Sequence, residues 1–324
     1  MKLSVCIPVY NVAPYVEKCA RSLFGQTYAD LELVFVDDAT PDDSISVVER
    51  VLAEFPARRV QTKILRHERN RGLVAARKTA MNAATGELLA HCDSDDWLDL
   101  DFYEKLVARL VETDADVVLS SVIRHVGGRE LPRPVTDRLD LSGQEAMRRL
   151  ESVSGLWAMW NKVFRREVFA NVGQIEWPDS IRIGEDACCT MQLLPQCRKV
   201  TSVADVCYHY RINARSMTRH DSAARLVADQ SLVYDILARN VPEPFCDVPR
   251  RYLARSVLYW GVTHGLFSRR DYRLWRGRFE SLGGVWDWSD MTLWGQRMMK
   301  IVDKSYWASR LVAPFVRRCV DDCL

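Results

Sequence analysis

The sequence predicts an α/β fold, a parallel or mixed sheet with helices on both faces, followed by a helical region at the C-terminus. Three observations carry this. Short apolar runs alternate with amphipathic stretches through the first ~120 residues, the pattern of strands joined by crossover helices. Each run is apolar throughout rather than at every second position, so both faces of the sheet are buried. Polar clusters follow three of these runs, Tyr10 and Asn11, Asp37 and Asp38, and Asp93 to Asp96, and open sheets bind ligands at the carboxyl ends of their strands.

Leu3 to Val9, LSVCIPV, is the first strand, and Pro14 to Phe24 the helix after it, with Val16, Ala20, Leu23 and Phe24 on one face. Leu31 to Asp38 is the second strand. ATPDDS supplies a turn and a helix start, and Ile45, Val48, Leu52 and Phe55 form the next apolar stripe. Thr62 to Leu65 is a third strand, Gly72 to Ala84 a helix, Leu88 to Cys92 a fourth strand, Asp101 to Val111 a helix and Asp116 to Ser120 a fifth strand. No GxGxxG follows the first strand and no GxxxxGK[ST] occurs, so a nucleotide would be held without either phosphate loop.

At 324 residues with 48% apolar and 27% charged residues, the chain is an ordinary globular one with room for two domains. The net charge of +2 gives no reason to expect nucleic acid as a partner. Its basic excess falls after His220. Ten cysteines are scattered with no CxxC, which predicts free thiols in a reducing compartment. The apolar start is too short for a signal peptide, and no run of ~18 apolar residues would span a membrane. A cytoplasmic location is expected.

The densest chemistry lies in LLAHCDSDDWLDLDF, Leu88 to Phe102, where Asp93, Asp95 and Asp96 crowd the end of a buried strand. Carboxylates so close stay ionised together only beside a cation. Mn²⁺ or Mg²⁺, hard ions with oxygen ligands, suit such a cluster and complete their shell with a substrate's phosphates. A solvated acidic turn ahead of the helix at Asp101 is the plainer alternative.

PVYN at 8–11, QTY at 26–28, VDDATPDDS at 36–44, NRGLVAARKTAM at 70–81 and DSDDW at 93–97, in this order and spacing, resemble the family 2 glycosyltransferases, inverting enzymes with the GT-A fold that use nucleotide-sugar donors. WNKVFRREVF at 160–169, GED at 184–186 and YHYRINARSMT at 208–218 resemble acceptor-side motifs of bacterial members that build capsule, exopolysaccharide or O-antigen. The resemblance spans Lys2 to Thr218. It implies a catalytic domain over 1–219, with a nucleotide-sugar half near 1–120 and an acceptor half near 121–219, and a helical appendage over 220–324.

By this resemblance Pro8, Tyr10, Asn11, Asp37, Asp38, Asn70, Arg77, Asp93, Ser94 and Asp95 bind the nucleotide-sugar. Asp38, or Asp37 in its place, would read the base. Arg77 would lie by the base and phosphates, and Asn70 would shape its loop. Asp95, with Asp96 and His209, would hold the Mn²⁺ or Mg²⁺ ion, and the D-x-D and x-D-D alignments leave open which aspartate is the ligand. Asp186 would be the catalytic base and Glu185 would orient the acceptor, although an acidic first helical turn has a structural use of its own. Trp160, Asn161 and Lys162 would form the sugar and acceptor pocket, and Arg211, Arg215 and Ser216 would close over the diphosphate. The implied reaction moves a sugar, UDP-linked by preference, to a hydroxyl of a glycan or lipid-linked acceptor.

Two rivals remain at this point. A sugar nucleotidyltransferase would need a Gly-rich loop after the first strand, which is absent. A silent nucleotide- or glycan-binding protein would have no need of both DSDD and GED. The tail is aromatic and basic, and a helix between Trp294 and Val312 would align Trp294, Met298, Ile301, Val302 and Val312, with Pro314 interrupting it. Packing on the catalytic half or on a second copy, as a homodimer, is the favoured use of that face. Peripheral contact with the inner face of the cell membrane is the alternative.

Overall fold

The computed structural model describes residues 1–150, 153, 155–170, 175–212, 222–241, 243, 245, 247–283, 297, 300, 301 and 304–321, the side chains of 315–321 excepted. The chain divides into two compact units, Met1–Ser216 and Met217–Leu324.

In the first unit, strands β1 (Leu3–Val9), β2 (Leu31–Asp37), β3 (Thr62–Arg66) and β4 (Leu88–His91) alternate with helices α1 (Ala13–Phe24), α2 (Ser44–Ala53) and α3 (Leu73–Ala83). Then come β5 (Trp97–Leu98), α4 (Phe102–Thr113), β6 (Val117–Val126), β7 (Arg129–Arg133), β8 (Asp140–Leu141), α5 (Gly143–Arg148), β9 (Lys162–Arg165), α6 (Glu185–Leu193) and β10 (Val200–Ile212). The sheet order is β3-β2-β1-β4-β9-β6-β10-β5, with β7 beside β6 and β8 beside β10. Strands β1 to β4 are mutually parallel, as the apolar runs predict.

The mixed character comes from β9, which pairs antiparallel with both β4 and β6. Two reversals restore direction, so β6 runs the same way as β4 and keeps its carboxyl end on the same rim. All seven residues of β1 are buried. Its alternate residues Leu3, Val5, Ile7 and Val9 join a core that α1, α2 and α4 complete with Val16, Leu23, Val48, Phe102 and Leu106. The opposite face of β1 and β2 is covered by α3.

Pro8 is the last residue but one of this central strand, where a proline would ordinarily remove a ladder bond. Even-numbered residues of β1 face β4, since Lys2 and Cys6 carbonyls accept from the Leu88 and Cys92 amides. Pairing with β4 ends at Cys6 and His91. The missing N–H of Pro8 therefore points where pairing with β4 has already ended, and no ladder bond is lost.

In the second unit α7 (Ala223–Asn240), α8 (Asp247–Thr263), α9 (Arg269–Ser281) and α10 (Tyr306–Asp321) form a helical bundle in which the other three pack on α8. Trp294, Met298 and Val302 of the expected amphipathic helix lie outside the described residues. The expectation that Pro314 interrupts a helix is corrected, because Pro314 lies inside α10. Among the described residues no helix is long and apolar enough to cross a membrane.

Candidate active site

The carboxyl rim of the parallel strands is built by three loops. After β1, Tyr10 is 45% exposed and Asn11 adopts a φ of 55°. After β2, Asp42 gathers the surrounding backbone: its carboxylate accepts from Ala13 N (2.9 Å), Thr40 Oγ1 (2.6 Å) and Ser44 Oγ (2.5 Å). Thr40 Oγ1 in turn accepts from Asn11 N at 2.8 Å, so the PVYN and VDDATPDDS turns are fastened to each other. A charged acceptor serving three donors makes such a junction rigid.

Asp37 and Asp38 differ in availability. Asp38 is buried, and its two oxygens accept from Arg71 N and Gly72 N at 2.8 Å each, with His67 Nδ1 at 2.6 Å. Its carboxylate holds the β3–α3 loop in place beneath the rim. Asp37 is partly open and accepts from Thr40 N at 2.8 Å. Asn70 is exposed on the loop that Asp38 holds.

Helix α3 starts at Gly72, whose φ of 91° disfavours a side chain, and it presents Arg77 to the centre of the site. The guanidinium is fully buried. Its Nη2 donates to Asp93 Oδ1 at 2.8 Å, and its Nη1 donates to Glu185 Oε1 at 3.1 Å and to Asp186 Oδ1. One cation thus bridges DSDD at the end of β4 and GED at the start of α6. Its neighbour Lys78 fastens the same segment from outside, reaching Trp177 O at 2.6 Å and Asp179 Oδ1 at 2.7 Å. Both adjacent cations of AARK are spent on the chain from 177 to 186, and Arg77 faces carboxylates rather than open space.

Gly184, with φ 88°, turns the chain into α6 and places Glu185 and Asp186 in its first turn, where the helix dipole favours negative charge. Asp186 Oδ2 accepts from Met159 N at 3.3 Å. That amide belongs to the loop before β9, and the loop is held from below by Lys162, whose Nζ donates to Gly155 O (2.5 Å), Ala158 O (2.6 Å) and Asn161 Oδ1 (2.7 Å). Asn161 Nδ2 donates to Ser120 O at 3.3 Å. Asn161 and Lys162 are both fully buried, and Trp160 is stacked on Tyr210 at 5.3 Å. The WNK motif therefore underpins the loop that touches Asp186.

Burial, and then the charge of Asp186, push the Glu185 carboxyl up to about 8, against the pull of Arg77. The carboxyl of Asp93 is raised by burial and by Asp186, with Arg77 opposing. Burial likewise pushes the Lys162 ammonium down to about 7. A carboxyl raised on folding binds its proton more tightly in the native state, so its stabilising effect is complete below the unfolded value near 4.5 and is lost as pH rises through about 8. Glu185→Gln removes that titration while keeping an oxygen for Arg77. Its Tm is expected to match wild type at pH 5 and to exceed it by at least about 2 °C at pH 8.5, measured by thermal unfolding at both pH values.

The acidic turn itself is shaped from β10. Tyr208 OH donates to Asp96 Oδ2 at 2.9 Å and accepts from Asp93 N at 3.1 Å, and Arg211 N donates to Asp96 Oδ1 at 2.6 Å. Asp96 is 1% exposed, and burial followed by Asp95 and Asp93 raises its carboxyl well above the usual range. Ser94 is buried beside it, while Asp93 and Asp95 are partly open. His209 donates or accepts at both ring nitrogens, to Asp99 Oδ1 at 2.8 Å and His125 Nε2 at 3.0 Å, and stacks on Trp97 at 5.0 Å.

A divalent ion needs only one or two carboxylates when a substrate's phosphates supply further oxygens. The turn meets that requirement with Asp95 and the Asp93 oxygen that does not face Arg77. Asp96 and His209, fully engaged as they stand, do not fit the ligand set expected of them. Among the described residues no group of three or more His, Cys, Asp or Glu is arranged to hold a metal.

Sequence reasoning named Arg211 but missed Lys18, which joins it over the Trp97 ring. Lys18 Nζ lies 3.4 Å from its ring centroid and the Arg211 guanidinium 4.8 Å, with Arg211 Nε donating to Asp95 O at 3.0 Å. Tyr208, Asp99 and His125 were missed too. Only the spacing of Lys18 from PVYN, one helical turn into α1, pointed toward the rim. Arg215 and Ser216 lie outside the described residues.

A mixed sheet with an acidic carboxyl rim and an added helical unit is the GT-A arrangement of solved glycosyltransferases. TarS 1-349 of S. aureus, solved with UDP-GlcNAc, superposes with a TM-score of 0.66 at 20% identity, covering 98% of this chain and 92% of that one. The mannosyltransferase PcManGT of Pyrobaculum calidifontis, solved with GDP-Man and Mn²⁺, gives a TM-score of 0.60 at 17% identity over 99% of this chain and 86% of that one. Residues 4–173 match glycosyl transferase family 2, and the chain belongs to that family. It is 27% identical to the glycosyltransferase EpsJ of Bacillus subtilis over 67% of this chain and 62% of that protein. With the glycosyltransferase alr2836 of Nostoc sp. it shares 30% identity over 71% of this chain and 70% of that one. The match spans only 32% of GlyA of Streptococcus pneumoniae.

Proposed function

We propose that this chain transfers a sugar from a UDP-linked donor to a hydroxyl of a glycan or lipid-linked acceptor, with inversion at the anomeric carbon, in the synthesis of a cell-surface polysaccharide. The observation that carries the reading is the bridge through Arg77, which fixes a carboxylate of the acidic turn and the carboxylate pair of GED around one buried guanidinium. A glycosyl transfer needs those two functions side by side, one near the leaving diphosphate and one near the attacking hydroxyl. The UDP preference is supported by TarS, solved with UDP and with UDP-GlcNAc.

Asp186 takes the proton of the acceptor hydroxyl, whose oxygen then bonds to the anomeric carbon as the bond to the β-phosphate oxygen breaks. A single displacement of this kind inverts the centre. Glu185, its carboxyl raised to about 8 by burial, donates a hydrogen bond to orient the acceptor. Tyr10, Asn11 and Asp37, on the loops at the carboxyl ends of β1 and β2, meet the base and ribose. Lys18 and Arg211 meet the diphosphate, where cations stabilise charge that grows as the bond breaks. Asp95 and Asp93 would hold Mn²⁺ or Mg²⁺, which when bound supplies Lewis-acid neutralisation of the leaving diphosphate.

The test is calorimetric binding of UDP, GDP, dTDP and CDP, each with and without Mn²⁺, to wild type and Asp95→Asn. UDP is expected to bind with metal and to lose at least about tenfold in affinity in the variant, consistent with loss of a charged oxygen ligand. Absence of metal-dependent binding by any of the four would overturn the donor half of the reading and favour a silent binding protein.

A further inference from the structure

Helix α10 carries apolar side chains on two opposite stripes, although a helix packed into a bundle needs one. The inner stripe is Ser309, fully buried, and Ala313, 5% exposed, where α10 meets α8. Tyr306 anchors the helix, its hydroxyl donating to Phe267 O at 2.9 Å. Opposite them, at a spacing of four and then three residues, Trp307 is 66% exposed, Leu311 78% exposed, and Pro314 exposed as well. Leu266, 42% exposed, follows Gly265, against which the Arg310 guanidinium of α10 lies.

Basic residues predominate around the stripe among the described residues. Lys304 and Arg310 are exposed on the same helix, Arg317 and Arg318 follow in it, and no Asp or Glu occurs from Lys304 to Val320. Arg269 and Arg270, exposed at the start of α9, follow Leu266 within four residues. A second copy of the chain docked by two-fold symmetry would set this cationic patch against itself. An anionic surface neutralises it and buries the Trp and Leu at the same time.

We propose that the outer face of α10 lies on an anionic lipid bilayer, with Trp307 and Leu311 inserted at the headgroup boundary and the flanking basic residues on the lipid phosphates. The inference is independent of the catalytic reading, because it concerns binding to lipid and no step of transfer.

Full-length protein is sedimented with vesicles of phosphatidylcholine alone and with phosphatidylglycerol added. Binding is expected only to the anionic vesicles, weakening as salt is raised. It should fall at least about tenfold in Trp307→Ser/Leu311→Ser, since two exposed apolar anchors are lost, and fall likewise in Arg269→Gln/Arg270→Gln, which leaves the apolar stripe intact. Circular dichroism melts confirm folding, and Leu311→Asp alone serves if the double variant is unstable. Failure to bind anionic vesicles overturns the proposal, as does binding that ignores these substitutions. A wild-type dimer that Trp307→Ser/Leu311→Ser converts to monomer, by light scattering, would assign the face to a second copy instead.

Discussion

Asp186→Asn is expected to lower the rate of sugar transfer by about 10²–10⁴-fold while leaving UDP-sugar affinity within about twofold. The substitution keeps the shape of the side chain and an oxygen for Arg77, and it gives up only the long 3.3 Å bond accepted from Met159 N, since an amide nitrogen cannot accept it. What it removes is the capacity to take a proton. Because Asp186 is 5% exposed and tied at both oxygens, a solvent base has poor access to replace it. Steady-state transfer kinetics set beside donor calorimetry separate the two functions. A variant that transferred sugar at the normal rate would remove Asp186 from the chemistry, and one that lost donor affinity equally would make it a positioning residue.

Arg77→Met is expected to cost about 3–5 kcal/mol of stability, the range for removing one partner from a buried ionic cluster. Three carboxylates, Asp93, Glu185 and Asp186, would then share a buried site with no counter-charge. Whichever of them carry charge would need to take up a proton or draw in water, Glu185 least of all because burial already raises its carboxyl to about 8. Arg77→Lys is expected to recover only part of the loss, since one ammonium cannot reproduce a fork that serves Asp93 through one nitrogen and the GED pair through the other. Urea unfolding of the three proteins measures this. A loss below about 1 kcal/mol, as for a surface pair, would show that the guanidinium is not the clamp the geometry describes.

Strands β1 to β4 were legible to within a residue or two, because a strand buried on both faces writes itself as an unbroken apolar run. Strand β9 was not, although Val163 and Phe164 stand in it. Four residues inserted between β4 and β6 carry no local sign of which neighbours they separate or in which direction they run. The acidic turn and GED were visible as compositions, and the resemblance ordered them. The part of Arg77 was invisible for another reason. Its partners lie 16, 108 and 109 residues away, and a helix of mixed character does not announce which of its charges is buried. The same holds for Lys162, whose three acceptors are backbone and side-chain oxygens that meet it only once the loop has closed. Asp38 was expected to end the second strand, which stops one residue earlier at Asp37, and its engagement with the β3–α3 loop could be seen only in three dimensions.

That long span between Arg77 and its partners has a consequence during synthesis of the chain. Once residue 92 has left the ribosome, β1 to β4 and α3 are all available, yet docking α3 would bury a guanidinium two of whose three carboxylate partners lie in residues still to be made. At roughly 5–20 residues per second, Glu185 and Asp186 follow only after some seconds. Until then the parallel half of the sheet can collapse but cannot seat α3 without stranding a charge. Seating of α3 therefore waits on GED, and β10, which shapes the acidic turn through Tyr208 and Arg211, is made later still, so the site is completed late in the synthesis of the first unit.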